Sequence, residues 1–300
     1  MQTQPFPCLR TFHDSDEIEV IALSPDGRTL FSGGWYDTIK VWNVTTGQLQ
    51  RTLTGPPHTV EVLAMSPNGQ ILASSSDETI KLWDLDTGEV RHTIKNYFEE
   101  ASKKIASLVF SLDGQILYSG SQGNTTHYWN VNGGYMLGSL GMASSGSKLL
   151  ALSADGRTLA GTSPGWLIVN DLPQHTRRFK TQTGYTTSSL AISPDGETVF
   201  MGDYKGIIYV YDIRQREEVA RLKGYAGAVQ AIAVSPDGKI LASANGISGG
   251  MIKLWELSAR TEMTTLEGHS RGISGLIFGP DSQTLISSSF DKSIKVWAVR

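Results

Sequence analysis

The chain has 300 residues, of which 39% are hydrophobic and 18% are charged, and its net charge at pH 7 is −3. This composition is typical of a globular protein, and it disfavours sequence-independent nucleic-acid binding, which needs a basic surface. Cys8 is the single cysteine, so it can form neither an intramolecular disulfide nor a cysteine-based zinc site.

A short phrase, Ser-Pro-Asp-Gly or a close variant of it, recurs seven times along the chain. Its copies begin at Ser24, Ser66, Ser111, Ser153, Ser193, Ser235 and Gly279. The steps between them are 42, 45, 42, 40, 42 and 44 residues. A second marker follows about 18 residues later in each copy, at Trp42, Trp83, Trp129, Asn170, Tyr211, Trp255 and Trp297. Two markers with one period indicate seven structural repeats, which we call units one to seven.

Each unit predicts four short strands. In unit one these are Val20–Leu23, Thr29–Ser32, Thr38–Trp42 and Gln48–Leu53. The turn between the first two is tight because proline presets φ and glycine accepts the left-handed conformation. A four-stranded sheet of this size cannot bury both faces alone, so we expect the sheets to pack radially.

The two ends of the chain predict ring closure. Arg300 follows the third strand of unit seven, which therefore lacks a fourth strand. Cys8–Phe12 precedes unit one and is similar to fourth-strand segments such as Met263–Leu266. We expect this N-terminal strand to complete unit seven, which removes an exposed edge, and we expect residues 1–300 to form a single domain.

The period, the Ser-Pro-Asp-Gly turn, the strand Thr79-Ile-Lys-Leu-Trp83 with Asp84 after it, and the spacing of Gly268-His269 from Trp297 resemble the WD-repeat family. The resemblance covers essentially the whole chain and is closer to bacterial members than to animal ones. It implies an all-β, seven-bladed β-propeller with four antiparallel strands in each blade, the N-terminal strand completing the last. Propellers host many functions, so this fold alone does not decide the function.

Unit seven contains a serine, a histidine and an aspartate that suggest a hydrolase triad, namely Ser287, His269 and Asp291. No Gly-x-Ser-x-Gly turn surrounds Ser287, however. The resemblance implies a structural hydrogen-bond set instead, in which Asp291 orients His269, His269 bonds Ser287, and Ser287 meets the indole N–H of Trp297. We therefore predict no catalytic residue. The six histidines lie in different units without paired spacing, so we also predict no metal site and no cofactor.

The strand order predicts two different faces. The turns between strands one and two and between three and four share one face and hardly vary; we call this the turn face. The remaining loops form the variable face, which carries insertions in Lys95–Lys104 and Asn245–Gly250. Repeat proteins commonly place such variation on the binding face.

Aromatic residues and arginine anchor protein interfaces, and the variable face collects several. The candidate protein-binding residues are Trp35, Tyr36, His58, Tyr204, Arg271 and Phe290. As an alternative, Trp35 or Phe290 folds inward over the channel, and Tyr225 only replaces the histidine that unit six lacks.

These patterns predict a non-catalytic scaffold that binds a protein or peptide on the variable face. We expect no nucleic-acid or membrane partner and a monomeric state. No segment reaches the ~18 apolar residues of a membrane span, and Met1–Arg10 lacks a signal-peptide core, so we expect a cytoplasmic location. The alternative is an enzyme or small-ligand binder that uses the central channel, which first strands such as Val20–Leu23 line with mostly apolar side chains.

Overall fold

The computed structural model describes residues 6–35, 38–54, 59–95, 104–121, 126–140, 149–246 and 249–300. These residues form 28 β-strands in seven four-stranded antiparallel sheets, each of which is one blade. No helix that is long and apolar enough to cross a membrane occurs within these ranges.

The strands follow the chain from blade to blade. The N-terminal strand is β1 (Cys8–His13). Blade one contains β2 (Ile18–Leu23), β3 (Thr29–Gly34), β4 (Thr38–Asn43) and β5 (Leu49–Thr54). Blade two contains β6 (Val62–Met65), β7 (Ile71–Ser76), β8 (Thr79–Asp84) and β9 (Val90–Lys95). Blade three contains β10 (Ile105–Phe110), β11 (Ile116–Ser121), β12 (Thr126–Asn130) and β13 (Tyr135–Leu140).

The remaining four blades repeat this order. Blade four contains β14 (Leu149–Leu152), β15 (Thr158–Ser163), β16 (Trp166–Asp171) and β17 (Thr176–Gln182). Blade five contains β18 (Thr187–Ile192), β19 (Thr198–Asp203), β20 (Ile207–Asp212) and β21 (Glu217–Lys223). Blade six contains β22 (Val229–Val234), β23 (Ile240–Asn245), β24 (Ile252–Glu256) and β25 (Thr261–Leu266). Blade seven contains β26 (Ile273–Phe278), β27 (Thr284–Ser289) and β28 (Ser293–Ala298), and β1 is its fourth strand.

The ring closes through β1, which pairs antiparallel with β28. Cys8 lies opposite Trp297, and His13 lies opposite Ser293. The first strands of successive blades contact one another around the ring, from β2 to β26 and back to β2. The seven-bladed propeller predicted from the repeats, with an N-terminal strand that completes the last blade, is therefore confirmed.

The hydrophobic core lies between neighbouring blades. One cluster joins Phe12, Ile286 and Ile294 of blade seven to Leu30 and Trp42 of blade one. Every blade packs in this way against the next, because a twisted four-stranded sheet with two apolar faces needs a cover on each side.

The turn face is held by one motif that recurs around the ring. In blade one, the Ser24 hydroxyl donates to Asp26 Oδ1 at 2.5 Å and accepts from the Thr29 amide at 2.9 Å. The bond from Ser24, together with the Arg28 amide, lowers the pKa of Asp26. Gly27 has a φ of 72° and lies against Pro280 of blade seven, so a side chain there would be strained and would collide. Both the turn geometry and the contact with the neighbouring blade therefore constrain the structure of the turn face.

Candidate interaction face

The four residues of the expected hydrogen-bond set lie together in blade seven. Asp291 Oδ2 is 2.9 Å from His269 Nδ1, and His269 Nε2 is 2.7 Å from the Ser287 hydroxyl. The indole N–H of Trp297 donates to the same hydroxyl at 2.9 Å. Ser287 has no solvent-exposed surface, so a substrate has no access to it.

The electrostatics of this set match a buried, neutral imidazole. Burial lowers the pKa of His269, and this effect outweighs the nearby charge of Asp291, which raises it. Asp291 keeps a lowered pKa despite its burial, because the Ser293 hydroxyl and the Ser270 amide donate to it and His269 lies beside it. The Asp291 carboxylate therefore accepts hydrogen bonds from two segments of the chain, one at Ser270 and one at Ser293.

One hydrogen bond of this set, from the marker tryptophan to a serine, also occurs in other blades. The marker tryptophan donates to a serine of the second strand in four more blades, in the pairs Trp42–Ser32, Trp83–Ser74, Trp129–Ser119 and Trp255–Ser243. In blade six, the Tyr225 hydroxyl donates to the Ser243 carbonyl at 2.6 Å and accepts from the Lys253 amide at 3.1 Å. Tyr225 therefore occupies in blade six the position that His269 has in blade seven. This agrees with the alternative in which Tyr225 only replaces the histidine that unit six lacks.

Trp35 and Arg271 lie on the variable face where blades seven and one meet. Trp35 follows β3, its side chain is 61% exposed, and its indole N–H donates to Glu19 Oε1 at 2.7 Å. Arg271 donates to the carboxylate of Glu17 and, at 2.7 Å, to the carbonyl of Phe290. Phe290 itself is only partly exposed, so Trp35 is the more open aromatic of the two.

Tyr204 lies on the same face but far around the ring, between blades four and five. It is 55% exposed and lines a groove of about 740 Å³ together with Tyr185, Tyr209 and Arg221. The rings of Tyr185 and Tyr209 stack with centroids 3.5 Å apart, and the Tyr209 hydroxyl donates to Asp203. The structure thus does not bring Tyr204 together with Trp35.

Two candidates, Tyr36 and His58, lie outside the described residues, as do 96–103 and 247–248 of the two insertions. Within the described ranges, no three potential metal ligands converge.

The structure also shows a cavity that the sequence analysis missed. It measures about 540 Å³ and is lined by Glu19, Trp35, Glu61, Lys104 and Gln230, among others. Gln230 belongs to blade six, across the ring from blade two, so the cavity lies over the central channel on the variable face. We call it the channel mouth.

The lining of the channel mouth is more polar than first strands such as Val20–Leu23, with their mostly apolar side chains, predict. The repeat pattern predicts a first strand that begins at Val20, whereas β2 begins at Ile18 and is irregular between these two residues, at Glu19. Glu61 holds the corresponding position in unit two, directly before a valine. An acidic residue at one repeat position in two successive units is the sequence signal that could have revealed this site.

An ion pair crosses from blade two to blade three at the channel mouth. Lys104 Nζ lies 2.6 Å from Glu61 Oε1. The hydrogen bond to Glu61 raises the pKa of Lys104, and the negative charges of Glu61, Asp77 and Glu19 raise it further. The carboxylates near Lys104 thus outnumber it.

The family comparison agrees with the repeat pattern. The family described as WD domain, G-beta repeat (WD40) matches residues 6–43, 47–84, 89–130, 216–256 and 260–298, which is more than half of the chain. The chain belongs to the WD40 family. Residues 131–215 remain unmatched, and they contain Asn170 and Tyr211, where the other WD40 repeats have tryptophan.

Known WD40 proteins resemble the chain at modest identity. Apoptotic protease-activating factor 1 of Rattus norvegicus is 27% identical over 71% of this chain and 17% of its own length. Small ribosomal subunit protein RACK1y of Oryza sativa subsp. japonica is 28% identical over 63% of the chain and 45% of its own length. WD repeat-containing protein 82 of Drosophila melanogaster is 23% identical over 77% of the chain and 89% of its own length. Several of the best-matching relatives are thus matched over less than half of their length.

Proposed function

We propose that the protein is a non-catalytic scaffold that binds a protein or peptide on its variable face. The observation that carries this proposal is the open indole of Trp35. A large aromatic side chain that is mostly exposed, yet held in one orientation by Glu19, loses little conformational entropy when a partner covers it. Arg271 and Phe290 extend the same surface into blade seven.

Two further observations support this proposal. The Ser-His-Asp constellation of blade seven is buried, and its donors and acceptors are occupied within the blade, so we assign it a structural role. The names of two relatives describe members of assemblies, a small ribosomal subunit protein and a target of rapamycin complex subunit. We extend this role in assemblies to the present chain. From the sequence, we also propose a cytoplasmic location, a monomeric state and a bacterial type of repeat.

The test is affinity capture from a lysate of the source organism, with Trp35→Ala compared with the intact protein. Tyr135→Ala is the matched control, since Tyr135 is 58% exposed but lies on an outer strand away from the variable face. We expect the intact protein and Tyr135→Ala to retain the same partners, and Trp35→Ala to lose them. Equal partner sets for all three proteins would contradict a binding role for Trp35.

The second candidate function is small-ligand binding at the channel mouth. The volume of about 540 Å³ is within the usual range for ligand pockets, and the lining contains charged groups. A thermal-shift screen with a metabolite library distinguishes the two functions. A ligand that raises the melting temperature of the intact protein, but not that of Glu61→Gln, supports this second function.

A further inference from the structure

The channel mouth combines two carboxylates with one exposed aromatic ring. Glu19 and Glu61 occupy the same repeat position in neighbouring blades: Glu19 is the second residue of β2, and Glu61 directly precedes β6. Trp35 stands beside them and is fixed by its bond to Glu19. Among the described residues that line this cavity, Lys104 is the single cation, which leaves the carboxylates in excess.

The chain's own cations show which charge this region attracts. Lys104 reaches Glu61 from the loop before blade three, and Arg271 reaches Glu17 from the loop before blade seven. Both cations are about half exposed, so neither is locked into the protein interior. Exposed ion pairs of this kind exchange with solvent and are weakly held.

One acceptor in the mouth is not satisfied within the described part of the chain. Glu61 Oε1 accepts from Lys104, whereas Glu61 Oε2 is buried and has no hydrogen-bond partner there. A buried carboxylate oxygen without a donor leaves the charge of Glu61 incompletely compensated, which favours a cation at the open side of the mouth.

We propose that the channel mouth takes a lysine or arginine side chain of a partner protein. The incoming cation lies against the indole face of Trp35 and donates to the carboxylates of Glu19 and Glu61. Aromatic faces attract cations, and carboxylates are the natural partners of ammonium and guanidinium donors. The excess of carboxylates disfavours acidic segments and nucleic-acid phosphates at the same place.

This inference rests on the proposed function and adds the chemistry of the partner. It predicts that a basic segment approaches the variable face at blades one and two. Because the charges are partly exposed, the association is expected to weaken as the ionic strength rises.

The inference can be tested by selection from a random peptide library that is displayed on phage. This selection does not require the partner to be known. The intact protein is the bait, and selected peptides are then synthesised and titrated by fluorescence anisotropy. The variant Glu19→Gln, Glu61→Gln removes both charges, while the amide oxygens still accept from Trp35 and Lys104. Glu197→Gln is the control, since Glu197 forms an ion pair with Arg214 near the turn face.

We expect the selected peptides to be enriched in lysine or arginine. Their dissociation constants should rise about tenfold or more on the double variant and on Trp35→Ala, and change less than about twofold on Glu197→Gln. Circular dichroism melting curves verify that the variants remain folded.

Three results would overturn the inference. The first is enrichment of peptides without basic residues, and the second is equal binding of basic peptides to the double variant. The third is a library that yields no binder although Trp35-dependent partners are captured from lysate. In each case the lysate experiment still reports separately on the scaffold function.

Discussion

The hydroxyl of Ser287 contacts two partners at once, the imidazole of His269 and the indole of Trp297. All three side chains are buried, and the Ser287 hydroxyl would lose one of its two hydrogen bonds if the histidine were truncated. Exposed residues of the same blade, such as Lys292, have no comparable set of buried partners. At the scale of single residues, the stability of blade seven therefore depends on a few buried polar groups whose hydrogen bonds are made within the blade.

We expect His269→Ala to lower the free energy of unfolding by about 2–4 kcal/mol, because it removes one hydrogen-bond partner each from Ser287 and Asp291 and opens a cavity. Urea denaturation followed by circular dichroism measures this change. Tyr225→Phe in blade six, which removes only a hydroxyl, should cost about 1–2 kcal/mol. Equal urea midpoints for His269→Ala and the intact protein would contradict the structural role.

The lowered pKa of His269 gives stability a defined pH dependence. The folded protein binds the imidazole proton less readily than the unfolded chain does, with its ordinary pKa of 6.5. Unfolding is therefore favoured as the pH falls below about 6.5. We expect the melting temperature to fall between pH 7 and pH 5, and to fall less in His269→Gln. Parallel pH profiles for the two proteins would show that His269 does not contribute.

At the scale of the element, the strand β1 closes the ring through one buried side chain. Phe12 is buried, stacks on Trp42 of blade one and packs against Ile294 of blade seven. Leu9, in the same strand, is exposed. The backbone pairing of β1 with β28 and the packing of Phe12 thus join the two ends of the chain.

We expect Phe12→Ala to cost about 3–5 kcal/mol of unfolding free energy, as is usual for truncating a buried phenylalanine. Leu9→Ala is the matched control in the same strand, and it should change the unfolding free energy by less than about 0.5 kcal/mol. Urea titration measures both variants. Similar losses for the two would mean that β1 contributes only its backbone pairing.

The outer strand β13 differs from the six other outer strands. Tyr135, Met136 and Leu137 are consecutive and exposed, and β13 carries no charged residue. Every other outer strand contains at least one charged residue, such as Glu262 in β25. Charges on edge strands oppose pairing with other chains.

We therefore expect Leu137→Lys to raise the temperature at which aggregation begins, as measured by static light scattering during heating. Met263→Lys places the same charge on β25, which Glu262 already protects, and should have a smaller effect. If Met263→Lys protects as well as Leu137→Lys, added charge rather than the edge of β13 is responsible.

At the scale of the whole molecule, the ring is uneven. Blades four and five lack the marker tryptophan, and a buried asparagine, Asn170, stands at its place in blade four. Blade four and the first three strands of blade five also fall in the part of the chain that the family model does not match. Fewer large apolar side chains at the centre of a blade mean less buried surface to hold it.

We expect β15 and β16 of blade four to exchange amide hydrogens faster than β27 and β28 of blade seven, because local stability follows buried contacts. Hydrogen exchange with mass spectrometry measures the two pairs of strands in one experiment. Uniform protection around the ring would show that closure distributes stability equally among the blades.

The sequence alone determined the blade number, the strand order and the closing strand, and its resemblance to the WD-repeat family implied the His269 set. Two markers with one period specify a repeated sheet, and turn chemistry is local, so neither depends on distant contacts. Only the tertiary structure decided which side chains on the variable face meet. It joined Glu19, Glu61 and Lys104 at the channel mouth and left Tyr204 far from Trp35, because the packing of successive blades brings together residues that lie tens of residues apart. It also decided that Tyr225 bonds Ser243, since a loop residue finds its partner only when the blade is assembled.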